Sequence, residues 1–196
     1  MMSLSVLLPM AAQTFRTPAD VARRLMDMNL SRAVLWQALT LVVVISILLA
    51  EATNFIMLSA VDVPEGVFVI PPLTMGLIQL SLLIAMVFAI FWVGRAMGGT
   101  GRFQDGLVAV VWLQFIMVCL QVVQTVSMLI LPAIAWLVGI FGLVAFLWLL
   151  THFIATVHGF TSLGKVFAMI IATSFGAAFG LSLLLTLVGV TIPGMV

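Results

Sequence analysis

The sequence predicts an all-α, polytopic integral membrane protein with five transmembrane helices. The composition is 65% hydrophobic and 7% charged, with a mean hydropathy of +1.40, which leaves too little polar surface to cover a water-soluble core. Apolar runs close to or above the roughly 18 to 20 residues that cross a bilayer recur along the chain. A net charge of +1 argues against a nucleic-acid partner, because such partners demand clustered basic residues.

Breaks rich in proline and glycine separate the apolar runs. They predict spans at about 33–58, 71–97, 107–129, 133–157 and 166–190. The third break, at Pro132, is so short that spans three and four could form one re-entrant element. Each run is long enough to cross alone, so we favour two spans. Residues 33–196 would then form one five-helix membrane domain behind a lead-in of residues 1–32.

The few basic residues predict the orientation. Four precede the first span, two flank the second break and one lies in the fourth: Arg16, Arg23, Arg24, Arg32, Arg95, Arg102 and Lys165. The first break carries only the acids Asp62 and Glu65. Basic residues near span ends are retained in the cytoplasm, so we expect a cytoplasmic N-terminus and a periplasmic C-terminus.

The lead-in contains a candidate amphipathic helix. Thr17 can cap it, and Pro18 would occupy its first position. One apolar face would be formed by Val21, Leu25 and Met28. Because the arginines lie off this face, we expect the helix to lie on the cytoplasmic leaflet; a solvated tail is the alternative. The apolar stretch 4–10 lacks the basic residues of a secretory signal, and we expect it to be retained.

Glu51 is the most unusual residue within a span. A carboxylate inside a membrane is costly, and it faces protein or water more often than lipid. It could serve as a proton or cation site, although we favour a carboxylate hydrated near the outer interface. A second polar feature is a set of amides on one face of span three: Gln114, Gln121 and Gln124. These could line a solute path, but we favour interhelical hydrogen bonding.

His152 and His158 are the two histidines of the chain. Six helical residues separate them by about 120°, so they do not converge, and we expect no metal site. His152 is placed to bond to the amides of span three, and His158 belongs to an interfacial turn. Catalytic and phosphate-binding motifs are missing from the sequence. We therefore expect neither an enzyme nor a cofactor.

Small residues recur every fourth position along span five: Gly164, Ala168, Ala172, Gly176 and Gly180. This spacing permits close approach of another helix. The neighbour could belong to another protein, although we favour a span of the same chain.

Two turns carry a family resemblance. The first, residues 95–106, includes Gly98, Gly99, Phe103 and Gly106; the second, residues 158–165, begins with His158, Gly159 and Phe160. Both resemble the turns of bacterial Yip-domain proteins, a family named for relatives that interact with Rab-type GTPases. The resemblance implies five spans, a cytoplasmic N-terminus, a bacterial inner-membrane location and no assigned reaction.

Three functional hypotheses follow. The leading one is a non-enzymatic scaffold, assembly factor or accessory subunit, whose partners are membrane lipids and either other integral membrane proteins or a second copy. The alternative is a small transporter or channel that uses the polar faces of spans one, three and four. A third hypothesis, a lipid-handling protein, rests on the basic N-terminal helix. No soluble substrate or nucleic acid is predicted.

Overall fold

The computed structural model describes residues 4–58 and 70–187. These residues form seven α-helices, which are α1 (Leu4–Thr14), α2 (Pro18–Asp27), α3 (Arg32–Leu58), α4 (Pro72–Ala96), α5 (Phe103–Ile130), α6 (Pro132–His158) and α7 (Leu163–Leu187). The acidic residues Asp62 and Glu65, the predicted end of span five at 188–190 and the C-terminus lie outside the described residues.

The helices α3 to α7 are each long and apolar enough to cross a membrane, and this confirms the five predicted spans. Their ends agree with the predicted bounds within four residues. Pro72 and Pro132 occupy first helical positions, where the missing N–H costs nothing. Leu131 alone separates α5 from α6, and it has extended backbone angles. Pro132 therefore begins a new helix, and α5 and α6 are two spans.

The α5 helix is the centre of the bundle. In the most apolar 18-residue stretch of each helix, half of the α5 residues are buried, against 6% of the α7 residues. Its most extensive neighbour is α6, and it also packs against α3 and α4. Consecutive long helices run in opposite directions. The ring of Phe103, at the start of α5, lies beside that of Phe91 near the end of α4 and that of Trp36 near the start of α3. Only one residue joins α5 to α6, and four join α6 to α7. One end of the bundle therefore carries Arg32, Arg95, Arg102 and Lys165, and we call it the basic end.

The lead-in is part of this bundle, which corrects our expectation of a helix lying on lipid. The α2 helix packs against α6 and α5, and Val21 and Leu25 are buried there with 1% and 5% exposure. Arg23, paired with Asp20 at 2.6 Å, is exposed on the other face. The amphipathic pattern was predicted correctly, but its apolar face contacts protein.

A further helix, α1, was not predicted. Met10, Ala11 and Thr14 on its inner face are buried. The indole Nε1 of Trp112 donates a 3.0 Å hydrogen bond to the hydroxyl of Thr14. Since Trp112 lies nine residues along α5 from Phe103, this contact is about 13 Å from the start of that helix. The junction of α1 and α2 is therefore anchored well inside the bundle.

The α7 helix lies at the edge of the bundle and packs mainly against α6. Val166 and Ile170 are its buried residues. Large side chains such as Phe175 and Phe179 are more than 70% exposed. Most of the surface of α7 is therefore left for lipid or for another protein.

Candidate functional site

The two turns singled out in the sequence dock onto each other at the basic end. His158, the last residue of α6, is 3% exposed and connects them. The backbone N–H of Gly101 donates to its Nδ1 at 3.3 Å, so Nδ1 carries no proton and Nε2 does. Nε2 in turn donates to the carbonyl of Ile90 on α4 at 2.9 Å. The N–H of Thr100 donates to the carbonyl oxygen of His158 at 3.3 Å. One neutral imidazole thus joins α4, the α4–α5 turn and α6.

Glycines make room for this imidazole. A Cβ placed on Gly94 would lie within 2.6 Å of three ring atoms of His158, and one on Gly99 would be equally close to it. A Cβ on Gly101 would lie 2.8 Å from the carbonyl oxygen of Val157. Real Cβ atoms do not approach so closely. The glycines of this turn therefore permit contact between two turns, in addition to shaping one of them.

Two other glycines end their helices. Gly98 has φ of +89° and Gly159 has φ of +73°, a region that side chains disfavour. The N–H of Gly99 bonds to the carbonyl of Gly94 at 2.9 Å, and the N–H of Phe160 bonds to that of Ala155 at 2.9 Å. Both helices therefore end in the same way, with a hydrogen bond between the first and the last of six residues. After each of these turns the backbone bends toward His158.

Phe103 begins α5 inside an aromatic cluster. Its ring lies 5.3 Å from that of Phe88, 5.8 Å from that of Phe91 and 6.5 Å from that of Trp36. The guanidinium of Arg32 lies over the Phe103 ring at 5.8 Å. Because these side chains come from α3, α4 and α5, the cluster fixes three helices at the basic end.

The start of α5 is also capped. The backbone N–H of Arg102 donates to the Asp105 carboxylate at 3.2 Å, and its guanidinium donates to both carboxylate oxygens at 3.0 and 2.9 Å. The hydrogen bond to Asp105 raises the pKa of the Arg102 guanidinium above its ordinary value. Gln104, the residue before Asp105, donates from its amide to the carbonyl of Leu30, which ties the end of the lead-in to α5. Gly106 is buried, and a Cβ there would meet Ile90 at an ordinary 3.5 Å.

The amides of α5 bond to neighbouring helices. Gln121 and Ser46 of α3 form a reciprocal pair: the hydroxyl of Ser46 donates to Gln121 Oε1 at 2.9 Å, and Gln121 Nε2 donates to the carbonyl of Ser46 at 2.9 Å. Gln79 of α4 reaches the same hydroxyl at 3.4 Å. Gln124 donates to the carbonyl of Ala135 on α6 at 3.4 Å. These bonds favour the interhelical interpretation of the amides.

Hydroxyl groups continue the contact between α3 and α5. Thr53 and Thr125 form a hydrogen bond of 2.8 Å between their side chains. Gln114, the third amide, is half-buried nearer the basic end of α5. The hydroxyl of Ser46 is bonded to Gln121 of α5 and to Gln79 of α4, and sequence reasoning missed it because an isolated serine in an apolar span carries no pattern.

Most of the chain matches a known protein family. The model of the Yip1 domain matches residues 12–186, which include α2 to α6 and nearly all of α7. The chain belongs to the Yip1-domain family. Comparisons with curated proteins and with solved structures gave no match. The match covers both docked turns and the five long helices almost completely, and five spans are what the resemblance implied.

In this Yip1 domain, Glu51 and His152 do not join the amides in one site. Glu51 is half-buried on α3. His152 is half-buried on α6, with Nδ1 2.8 Å from the carbonyl of Trp148 and its ring 4.6 Å from the Trp148 ring. Our expectation that His152 bonds to the amides of span three is wrong, because its ring is held by its own helix. His158 does lie at a turn, but as the buried connection between two turns.

The small-residue row of α7 is exposed in this Yip1 domain. All five members are exposed: Gly164, Ala168, Ala172, Gly176 and Gly180. Among the described residues, nothing lies within 4 Å of a Cβ placed on any of its three glycines. We expected a span of the same chain to cover the row. The described part of the chain leaves it open instead, because α7 turns its opposite face to α6.

Proposed function

We propose that this Yip1-domain protein is a non-enzymatic scaffold, assembly factor or accessory subunit of the bacterial inner membrane. It packs against other integral membrane proteins, or against a second copy, through the small-residue row of α7. The single observation that carries this proposal is the exposure of that row on the helix that is least buried in the bundle.

Exposed small residues on a membrane helix favour contact with another helix, for a physical reason. Lipid tails are as apolar as leucine, so close contact between helices depends on small residues that let backbones approach. The row runs over 17 residues, from Gly164 to Gly180, which is about 24 Å of helix. Because it turns by about 40° at each step, a helix that crosses α7 at an angle can approach neighbouring members of the row closely.

The polar groups inside the bundle support a structural role. Gln121 and Gln124 hold α5 against α3 and α6, and His158 holds the two turns together. Such bonds stabilise one arrangement of α3 to α6, and α7 packs against α6. A scaffold needs a stable frame of this kind with one open face.

The test is native purification with a crosslinker, comparing wild type with Gly176→Leu. We expect the wild type to co-purify with a membrane protein or to form a dimer, and Gly176→Leu to lose that partner. Gly142→Leu on α6 is the matched control, since a Cβ at Gly142 also meets nothing within 4 Å. A wild-type monomer with no partner, or equal loss in both variants, would overturn the proposal.

A further inference from the structure

A groove lies between α4 and α7, with α6 as its floor. Its volume is about 330 Å³, within the range of small-molecule sites. The α4 wall includes Ala85 and Ala89, and the α7 wall includes Ser174 and Ala177. The lining is almost entirely apolar, and the exposed Leu82 marks its open side. The groove is distinct from the middle of the small-residue row, because Ala172 and Ser174 point about 160° apart on α7.

A second cavity of about 250 Å³ adjoins the groove at the basic end, and Met169 lines both. On the α4 side, Val93 lines the groove and Met97, one turn further on, lines the second cavity. The second cavity is different in character, because the residues that line it include one cationic residue, Lys165, and two hydroxyl residues, Thr161 and Ser162. The apolar groove therefore ends in a polar, cationic cavity.

The charge of this cavity is unopposed. Among the described residues that line the two cavities, none is acidic. The ion pairs of the described residues join Arg23 to Asp20 and Arg102 to Asp105, so Lys165 takes part in neither of them. It lies at the end of a membrane span, at the level where lipid headgroups are found.

We propose that these two cavities hold one anionic phospholipid. An acyl chain lies in the groove between α4 and α7, and the phosphate lies beside Lys165, Thr161 and Ser162. A phospholipid matches both cavities. Its apolar acyl chain leads to an anionic headgroup, as the apolar groove leads to the cationic cavity. A partner helix would match the apolar groove, but it would leave the cationic cavity without a complementary charge.

The test is native mass spectrometry of the full chain in mild detergent, titrated with dioleoyl phosphatidylglycerol or with dioleoyl phosphatidylcholine. We expect wild type to retain one phosphatidylglycerol in preference to phosphatidylcholine. Lys165→Ala should weaken phosphatidylglycerol binding about fivefold, which corresponds to one basic side chain at a lipid surface. Lys165→Arg should restore it, and Arg24→Ala, an exposed arginine of α2, should leave it unchanged.

A second pair of variants tests the groove. Ala177→Phe fills the groove and should reduce retention of both lipids, whereas Ala172→Phe, on the opposite face of α7, should not. Each variant is first shown to elute as wild type does and to keep its helical circular dichroism. Equal binding of the two lipids would overturn the proposal, as would equal behaviour of the two phenylalanine variants. If a co-purifying protein were lost from Ala177→Phe but kept by Ala172→Phe, the groove would hold a partner helix and not a lipid.

Discussion

The imidazole of His158 occupies the space that a side chain at Gly94 would fill. Its Nε2 donates to Ile90, one turn before Gly94 on the same helix, and the ring stacks on Phe160 with centroids 5.6 Å apart. The last residue of α6 is therefore packed directly against the backbone of α4. This contact sets how closely the two turns of the basic end can approach, and it depends on the absence of a Cβ at Gly94.

Gly94→Ala should destabilise the protein by about 1–3 kcal/mol, the usual cost of overpacking a filled site. The added Cβ would fall within 2.6 Å of ring atoms of His158, and the ring could move only by losing its bonds to Ile90 and Gly101. Thermal unfolding in mild detergent measures the effect. Gly142→Ala is the control, and its midpoint should equal or slightly exceed that of wild type, because alanine is the better helix former and its Cβ meets nothing within 4 Å there. Equal midpoints for both variants would show that the His158 ring can move freely.

Gln121 and Ser46 should be energetically coupled. Gln121→Leu removes both hydrogen bonds of the pair between α5 and α3, whereas Ser46→Ala removes only the one that the Ser46 hydroxyl donates, because the other is accepted by the backbone carbonyl. A double-mutant cycle should give a coupling of about 0.6–2 kcal/mol for the hydroxyl–amide bond. Unfolding measured in detergent or bicelles provides the four stabilities. Gln124→Leu combined with Ser46→Ala is the control, because Gln124 bonds to α6, and it should be additive.

The same variants separate the interhelical role from a transport path. If the amides serve as interhelical bonds, Gln121→Leu changes stability and leaves proteoliposomes without solute flux, as in wild type. Flux in wild type that Gln121→Leu abolishes without loss of folding would support the transporter alternative instead.

The five spans could be predicted because span length and hydropathy are local properties of the chain. The apolar face of α2 was also predictable from its periodicity. What that face contacts was not, because the same pattern serves a helix on lipid and a helix on protein. The α1 helix was missed because its buried stripe is short and carries no charge that would mark a second face; the stripe consists of Leu7, Met10, Ala11 and Thr14.

The candidate sites were harder to predict because they depend on distant pairs. His158 lies more than 50 residues from the glycines that surround it, and nothing in the spacing of those glycines indicates that an imidazole fills the gap. The small-residue row of α7 was hard to interpret for a different reason. Its small residues were recognised, but a pattern that permits close approach does not tell whether a helix of the same chain is present.

Thr14→Val should loosen the lead-in, because it removes the acceptor of the buried Trp112 indole. A buried donor left without a partner costs about 1–3 kcal/mol. Trypsin should therefore cleave faster after the exposed Arg16, and thermal unfolding should shift downward. Thr17→Val is a matched control, since the buried hydroxyl of Thr17 has no hydrogen-bond partner among the described residues. It should be neutral or slightly stabilising, and equal effects of the two variants would contradict the anchoring role of Thr14.

The orientation of the bundle is open to a direct test by cysteine labelling. The basic residues of one end predict that this end faces the cytoplasm. In a Cys119→Ala background, which removes the lone cysteine, Thr161→Cys reports on the basic end and Leu131→Cys on the opposite end; both positions are exposed. A membrane-impermeant maleimide applied to sealed, right-side-out membrane vesicles should label only Leu131→Cys, and lysis should expose both. Because Leu131 and Thr161 lie at opposite ends of α6, a reversed pattern would place the basic end outside, and labelling of both sites before lysis would mean that α6 does not cross the membrane.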